Sequence, residues 1–84
     1  MKKLIEVTDE GYEAFLGKRI TLYCGIYIYT GTLVGVNDDF LKLEDAAIVY
    51  ETGAHNTNEW ADAQRMPNDW YVRINAVESF GAFK

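Results

Sequence analysis

Eighty-four residues leave room for one domain, 1–84, with one modest core; a chain this short buries only about 60% of its unfolded surface and often gains stability by assembling. A formal net charge of −5 excludes a broad basic surface for nucleic acid, although it leaves room for a local site. One cysteine, Cys24, excludes an internal disulfide, and no apolar run approaches the ~20 residues of a membrane span, so a reducing, cytoplasmic setting is expected.

The first seven residues, MKKLIEV, are short and mixed. Thr8 has the chemistry of a helix N-cap, and Asp9 and Glu10 place negative charge on the first turn. Val7 and Tyr12 have the spacing of a hydrophobic staple, while Tyr12, Phe15 and Leu16 fall on one helical face. Gly17 suits the position just past the end, so the spacing predicts a helix of about two turns over 9–16. Ile20 and Leu22 then alternate with Thr21 and Tyr23 as a first strand over 19–24, which Gly25 ends. A second strand is expected over 26–36, apolar on both faces, which implies a cover from the helix or from another subunit.

Gly31 and Gly35 interrupt that strand, and a glycine inside a strand marks a bend or a close backbone approach. Asn37-Asp38-Asp39 supplies a tight turn, because Asn and Asp bond to their own backbone. Phe40, Leu41 and Leu43 restart the apolar pattern, giving a third strand over 40–51 with a bend near Ala46-Ala47. Residues 52–69 form a long insertion, in which Asn58 is placed to cap a helical turn over 59–66 closed by Pro67. Trp70, Val72 and Ile74 share a face of a fourth strand, and 76–83 is a short fifth. A mainly β domain of one helix and five antiparallel strands is expected, with strand two strongly bent.

The run Gly31-Thr32-Leu33-Val34-Gly35-Val36, the turn Asn37-Asp38-Asp39-Phe40 and the strand Leu41-Lys42-Leu43-Glu44-Asp45-Ala46 together resemble the first signature of the Sm and Sm-like (LSm, Hfq-like) family. Val72-Arg73-Ile74-Asn75-Ala76-Val77 is similar to the second signature, with Arg73 at the basic position and Ile74 where the family has glycine. The first turn is similar in length to that of bacterial Hfq, and divergent phage-type Sm-like proteins are a further likeness. The resemblance implies an Sm-like (SH3-type) five-stranded, strongly bent barrel with a short N-terminal helix. It also implies a cyclic homo-oligomer, a ring of roughly five to seven subunits closed by strand four of one copy pairing with strand five of the next. Trp70, Val72, Ile74, Val77 and Phe80 fall on those two strands and are the interface residues that the resemblance implies. Single-stranded RNA would be held at the pore by Asn37, Asp38, Phe40, Arg73 and Asn75, in an RNA-binding or RNA-chaperone-type role. An oligomeric protein-interaction ring without RNA is the competing function, favoured by the net charge.

Individual residues carry a second reading. Phe40 can stack on a base or restart the core of strand three, and Arg73 can meet phosphate or merely point outward between Val72 and Ile74. Asp38-Asp39 with Glu44-Asp45 lacks the oxygen-rich loop of a calcium site, and turn chemistry accounts for the first pair, so no metal is expected. Cys24 and His55 have no third partner in view for nucleophilic catalysis, so neither an enzyme nor a cofactor is expected. Trp60 and Trp70 flank the insertion as packing or interface anchors.

Overall fold

The computed structural model describes residues 11–83, and it is mainly β. Strands β1 (Arg19–Cys24), β2 (Ile28–Val36), β3 (Phe40–Glu51), β4 (Asp62–Arg65), β5 (Trp70–Arg73) and β6 (Val77–Gly81) form one antiparallel sheet. Single 3₁₀ turns precede β1 at Tyr12–Phe15 and separate β5 from β6 at Ile74–Ala76. The sheet order is β4-β3-β2-β1-β6, with β5 on β3 as well. It is an open sheet among the described residues, and it has six strands where the sequence pattern gives five.

The expected helix is reduced, in its described part, to the 3₁₀ turn Tyr12–Phe15. Gly11 has φ 104° and ψ −162°, a conformation outside any helix, so Tyr12 begins a new turn. The cap expected at Thr8 and the acidic first-turn residues Asp9 and Glu10 lie outside the described residues, as does Val7. Gly17 does take the left-handed conformation, φ 85°, and its N–H donates to the Leu33 carbonyl at 2.7 Å, tying the turn to β2. Tyr12 and Phe15 pack on the core from this turn.

Residues 59–66 are not a helical turn. Asp62–Arg65 is a strand whose register on β3 runs from Glu51↔Asp62 to Ala47↔Arg65, and β5 continues from Leu43↔Trp70 to Phe40↔Arg73. The Met66 N–H also donates to the Ala46 carbonyl at 2.8 Å. β4 and β5 are therefore two halves of one run along the outer edge of β3, broken where Pro67 has no N–H to give. Pairing with a long, well-formed neighbour has overridden the helix signals of Asn58 and Pro67. The insertion shrinks to the loop between β3 and β4.

The sharp bend lies where Thr30 faces Ala47 and Thr32 faces Glu44. Between these pairs β2 offers Gly31 alone, while β3 offers Asp45 and Ala46, which is a bulge of two residues against one. Asp45 is left-handed at φ 51°. Arg19 Nη1 donates to its carbonyl at 3.0 Å and Arg65 Nη2 to its carboxylate at 2.8 Å, so both neighbours of the bulge hold it. A Cβ on Gly31 would come within 3.2 Å of the Ala46 Cα and the Glu44 carbonyl oxygen, the close approach that reserves this position for glycine. Gly35 meets only Lys42, at ordinary contact distance.

One face of the bent sheet holds the core, Ile20, Leu22, Leu33, Leu41, Leu43, Ala46 and Val72. Among the described residues, the opposite face at Thr21 is covered by Phe83 and the β3–β4 loop. The Thr21 hydroxyl donates to the Phe83 carbonyl, the Phe83 ring stacks on His55 at 5.4 Å between centroids, and Trp60 meets Phe83 edge-on. Two further details correct the expected boundaries. Ile26 and Tyr27 belong to the β1–β2 turn, closed by the Cys24 N–H on the Tyr27 carbonyl, and Ile26 is 87% exposed. Ile74 leaves β5 to enter the second 3₁₀ turn, and the Val77 N–H is used on the Ile74 carbonyl there.

Candidate functional site

The β2–β3 turn is built by Asn37. Its side-chain oxygen accepts the N–H groups of Asp39 at 2.8 Å and Phe40 at 2.7 Å, while its own N–H donates to the Phe40 carbonyl at 3.1 Å. A short polar side chain satisfying two consecutive backbone N–H groups, beside one backbone–backbone bond, locks a turn without help from the core. The Asp39 carbonyl then accepts the Ile74 N–H at 2.9 Å, which ties this turn to the 3₁₀ turn after β5. Two turns 35 residues apart in sequence are thereby held side by side (39 and 74).

Between them lies a hollow of about 340 Å³ lined by Asp38, Asp39, Phe40, Arg73, Ile74 and Asn75. Four of the five residues expected to meet RNA, Asp38, Phe40, Arg73 and Asn75, converge in it. The fifth, Asn37, shapes the turn with its amide and lines a neighbouring hollow instead. Phe40 lies across from Arg73 in the β3–β5 register and is 38% exposed, so its ring faces outward and is not a core residue. The hollow offers an aromatic face, one guanidinium, one side-chain amide and two carboxylates. Such a set can stack a base, bond its edge and meet a phosphate on the Arg73 side, while Asp38 and Asp39 keep a phosphate away from the turn side.

Sequence reasoning missed the neighbouring residues Lys42, Asp69 and Tyr71. Lys42 lies directly across from Tyr71, with its ammonium 5.7 Å from the ring centroid and 3.7 Å from an Asp69 carboxylate oxygen. Hydrogen bonding with Tyr71, then the nearby Asp69 carboxylate, holds the Lys42 ammonium above its ordinary pKa. A second hollow of about 230 Å³, lined by Gly35, Val36, Asn37, Phe40, Lys42 and Tyr71, shares Phe40 with the first. Period-two alternation places Lys42 on the outward face with Phe40, since both alternate with the buried Leu41 and Leu43, but it does not place Tyr71 beside it.

The expected interface residues divide by burial. Trp70 and Phe80 are each 38% exposed, Phe80 beneath Tyr12 at 4.3 Å and Phe15 at 5.8 Å. Ile74 and Val77 pack partly against the core. Val72 is 5% exposed and its side chain is a core residue, because it faces Leu41 across the β3–β5 pair. Trp70 also borders an apolar groove of about 440 Å³ with Cys24, Ile26, Tyr27, Tyr29 and Tyr71. Burial pushes the Cys24 thiol up from its ordinary pKa. His55 is elsewhere, with Nε2 2.9 Å from the Tyr23 hydroxyl, in a hollow with Ser79 and Phe83 that Cys24 does not line. The two do not meet as nucleophile and base. Among the described residues no cluster of His, Cys, Asp and Glu could hold a metal ion, and no helix is long and apolar enough to cross a membrane.

No family model and no curated protein matches this chain.

Proposed function

We propose that this chain is an Sm-like protein that assembles into a ring and binds single-stranded RNA where the turns after β2 and β5 meet. The observation that carries this reading is the convergence of Asp38, Phe40, Arg73 and Asn75 in one hollow, from turns joined by the Ile74–Asp39 hydrogen bond. Phe40 stacks on a base, Asn75 bonds the base edge, and Arg73 meets the adjoining phosphate. Asn37 is a positioning residue that fixes the Phe40 backbone.

The sheet supports the assembly half of the reading. Its order leaves β6 at one end and β4 with β5 at the other, each with an outer edge that nothing in the described residues pairs. Open edges invite association unless they are covered, and pairing β5 of one copy with β6 of the next covers both kinds at once. A contact of this head-to-tail type closes into a ring when its rotation permits. Trp70 and Phe80, half-exposed on those strands, then lie at the contact.

A second reading, the same ring acting as a protein scaffold, is favoured by the net charge of −5 and by the two carboxylates in the hollow. Fluorescence anisotropy with short U-rich and A-rich RNA at low salt separates the two. Saturable binding that is lost in Arg73→Ala, with the assembly mass unchanged, supports RNA at the hollow. No saturation below ~100 μM, the weak end of non-specific binding, supports the scaffold.

A further inference from the structure

The outward face of the β3–β5 pair repeats one chemical unit. Phe40 faces Arg73 on one rung, and Lys42 faces Tyr71 two residues further along. Each rung holds one aromatic ring and one cation, with the order of the strands exchanged. The alternating inward residues Leu41, Leu43 and Val72 are buried, so all four outward side chains stand on solvent. Tyr71 is 57% exposed, so its ring is open to a ligand.

We propose that this face is a second nucleotide subsite, continuous with the first through Phe40, so that an RNA strand leaving the hollow runs along β3 and β5 onto Tyr71 and Lys42. This rests on the RNA reading given above. Several observations favour a single-stranded polynucleotide. The two hollows share Phe40, so a strand passes between them without leaving the surface. Outward neighbours along a strand are about 6.8 Å apart, a distance that one extended nucleotide step spans. Phe40 and Tyr71 are diagonal across the pair, about 7–8 Å apart at their backbones, close enough for adjacent bases.

Charge complementarity points to the same occupant. A chain with 13 acidic and 8 basic residues places a cation beside an exposed ring on both rungs. Lys42 remains an ammonium, and it is shared between the Tyr71 ring and Asp69. A phosphate arriving at Lys42 displaces Asp69 from it. Asp69 thus acts as an internal competitor that weakens this subsite and makes it the more salt-sensitive of the two.

The test uses fluorescein-labelled oligouridylate and oligoadenylate, each as a dinucleotide and a hexanucleotide, at low and moderate salt. Tyr71→Ala should weaken the hexanucleotide by about 5- to 150-fold, the range for loss of one stacked base, and leave the dinucleotide unchanged. Lys42→Ala should lower the salt slope for the hexanucleotide by about 0.7, the value of one released counterion on a single strand. Asp69→Asn should tighten the hexanucleotide only. All three positions are solvent-facing, and circular dichroism confirms that each variant is folded. If Arg73→Ala abolishes binding while Tyr71→Ala, Lys42→Ala and Asp69→Asn leave hexanucleotide affinity and salt slope unchanged, the second subsite is refuted and the first stands. If the unmodified protein binds neither length, the RNA reading itself fails and carries this inference with it.

Discussion

Replacing Gly31 with alanine tests whether the bend in β2 and β3 is set by one close approach. The added Cβ meets the Leu43 Cβ at 3.0 Å, the Ala46 Cα at 3.2 Å and the Glu44 carbonyl oxygen at 3.2 Å. Two of the three are backbone atoms of the bulge, which Arg19 and Arg65 hold in place through Asp45. No side chain can swing aside to make room, so the strands must separate by several tenths of an ångström. Overpacking of this kind costs about 1–3 kcal/mol, and the fixed backbone places this case in the upper half, about 2–3 kcal/mol. For a domain of this size each kcal/mol lowers Tm by about 4–8 °C, giving a fall of roughly 8–24 °C. Thermal melts by circular dichroism, at one fixed protein concentration, read it directly. Gly35→Ala is the control, because its Cβ meets only Lys42, at 3.4 Å and beyond, and it should lie within about 0.5 kcal/mol of the parent. Equal melting temperatures for the two variants would refute the close-approach account.

The remaining predictions concern the turn, the covered face, the assembly and the thiol. Asn37→Ala removes the acceptor of two backbone N–H groups and should cost about 0.5–1.5 kcal/mol by urea titration, with RNA affinity falling because the Phe40 backbone loosens. Phe83→Ala removes the contacts to both His55 and Trp60, each worth about 0.5–1.5 kcal/mol, and should expose the β3–β4 loop to limited proteolysis. Trp70→Asp places a charge on the half-exposed edge of β5, and light scattering should show a smaller particle than the parent; an unchanged mass contradicts assembly through that edge. Burial disfavours the Cys24 thiolate and raises its pKa, so alkylation in the folded protein should be slower near pH 8 than for free cysteine and should accelerate in denaturant.

Much of the fold is legible in the residues, for identifiable reasons. β1 and β3 follow the expected bounds because Gly25 and the Asn37 turn punctuate strong β patterns. Gly31 was readable as a bend, although only the register shows that it sits opposite a bulge at Asp45-Ala46 rather than at Ala46-Ala47. β4 was not readable: all four of its residues are exposed, so they carry no alternation, and a capping Asn and a closing Pro mimic a helix. The first hollow could be anticipated because its residues sit in two recognisable turns. Lys42 and Tyr71 could not, since their pairing depends on which strand lies beside β3.

Residue-resolved NMR titration locates RNA on the surface and decides whether it enters the proposed hollow between the two turns. With an unlabelled U-rich or A-rich oligonucleotide at low salt, amide shifts should concentrate at Asp39, Phe40, Arg73 and Asn75, with the Asn75 side-chain amide among the largest. Shifts confined to the β3–β4 loop and Phe83, or none as the oligonucleotide is raised past ~100 μM, would contradict the account.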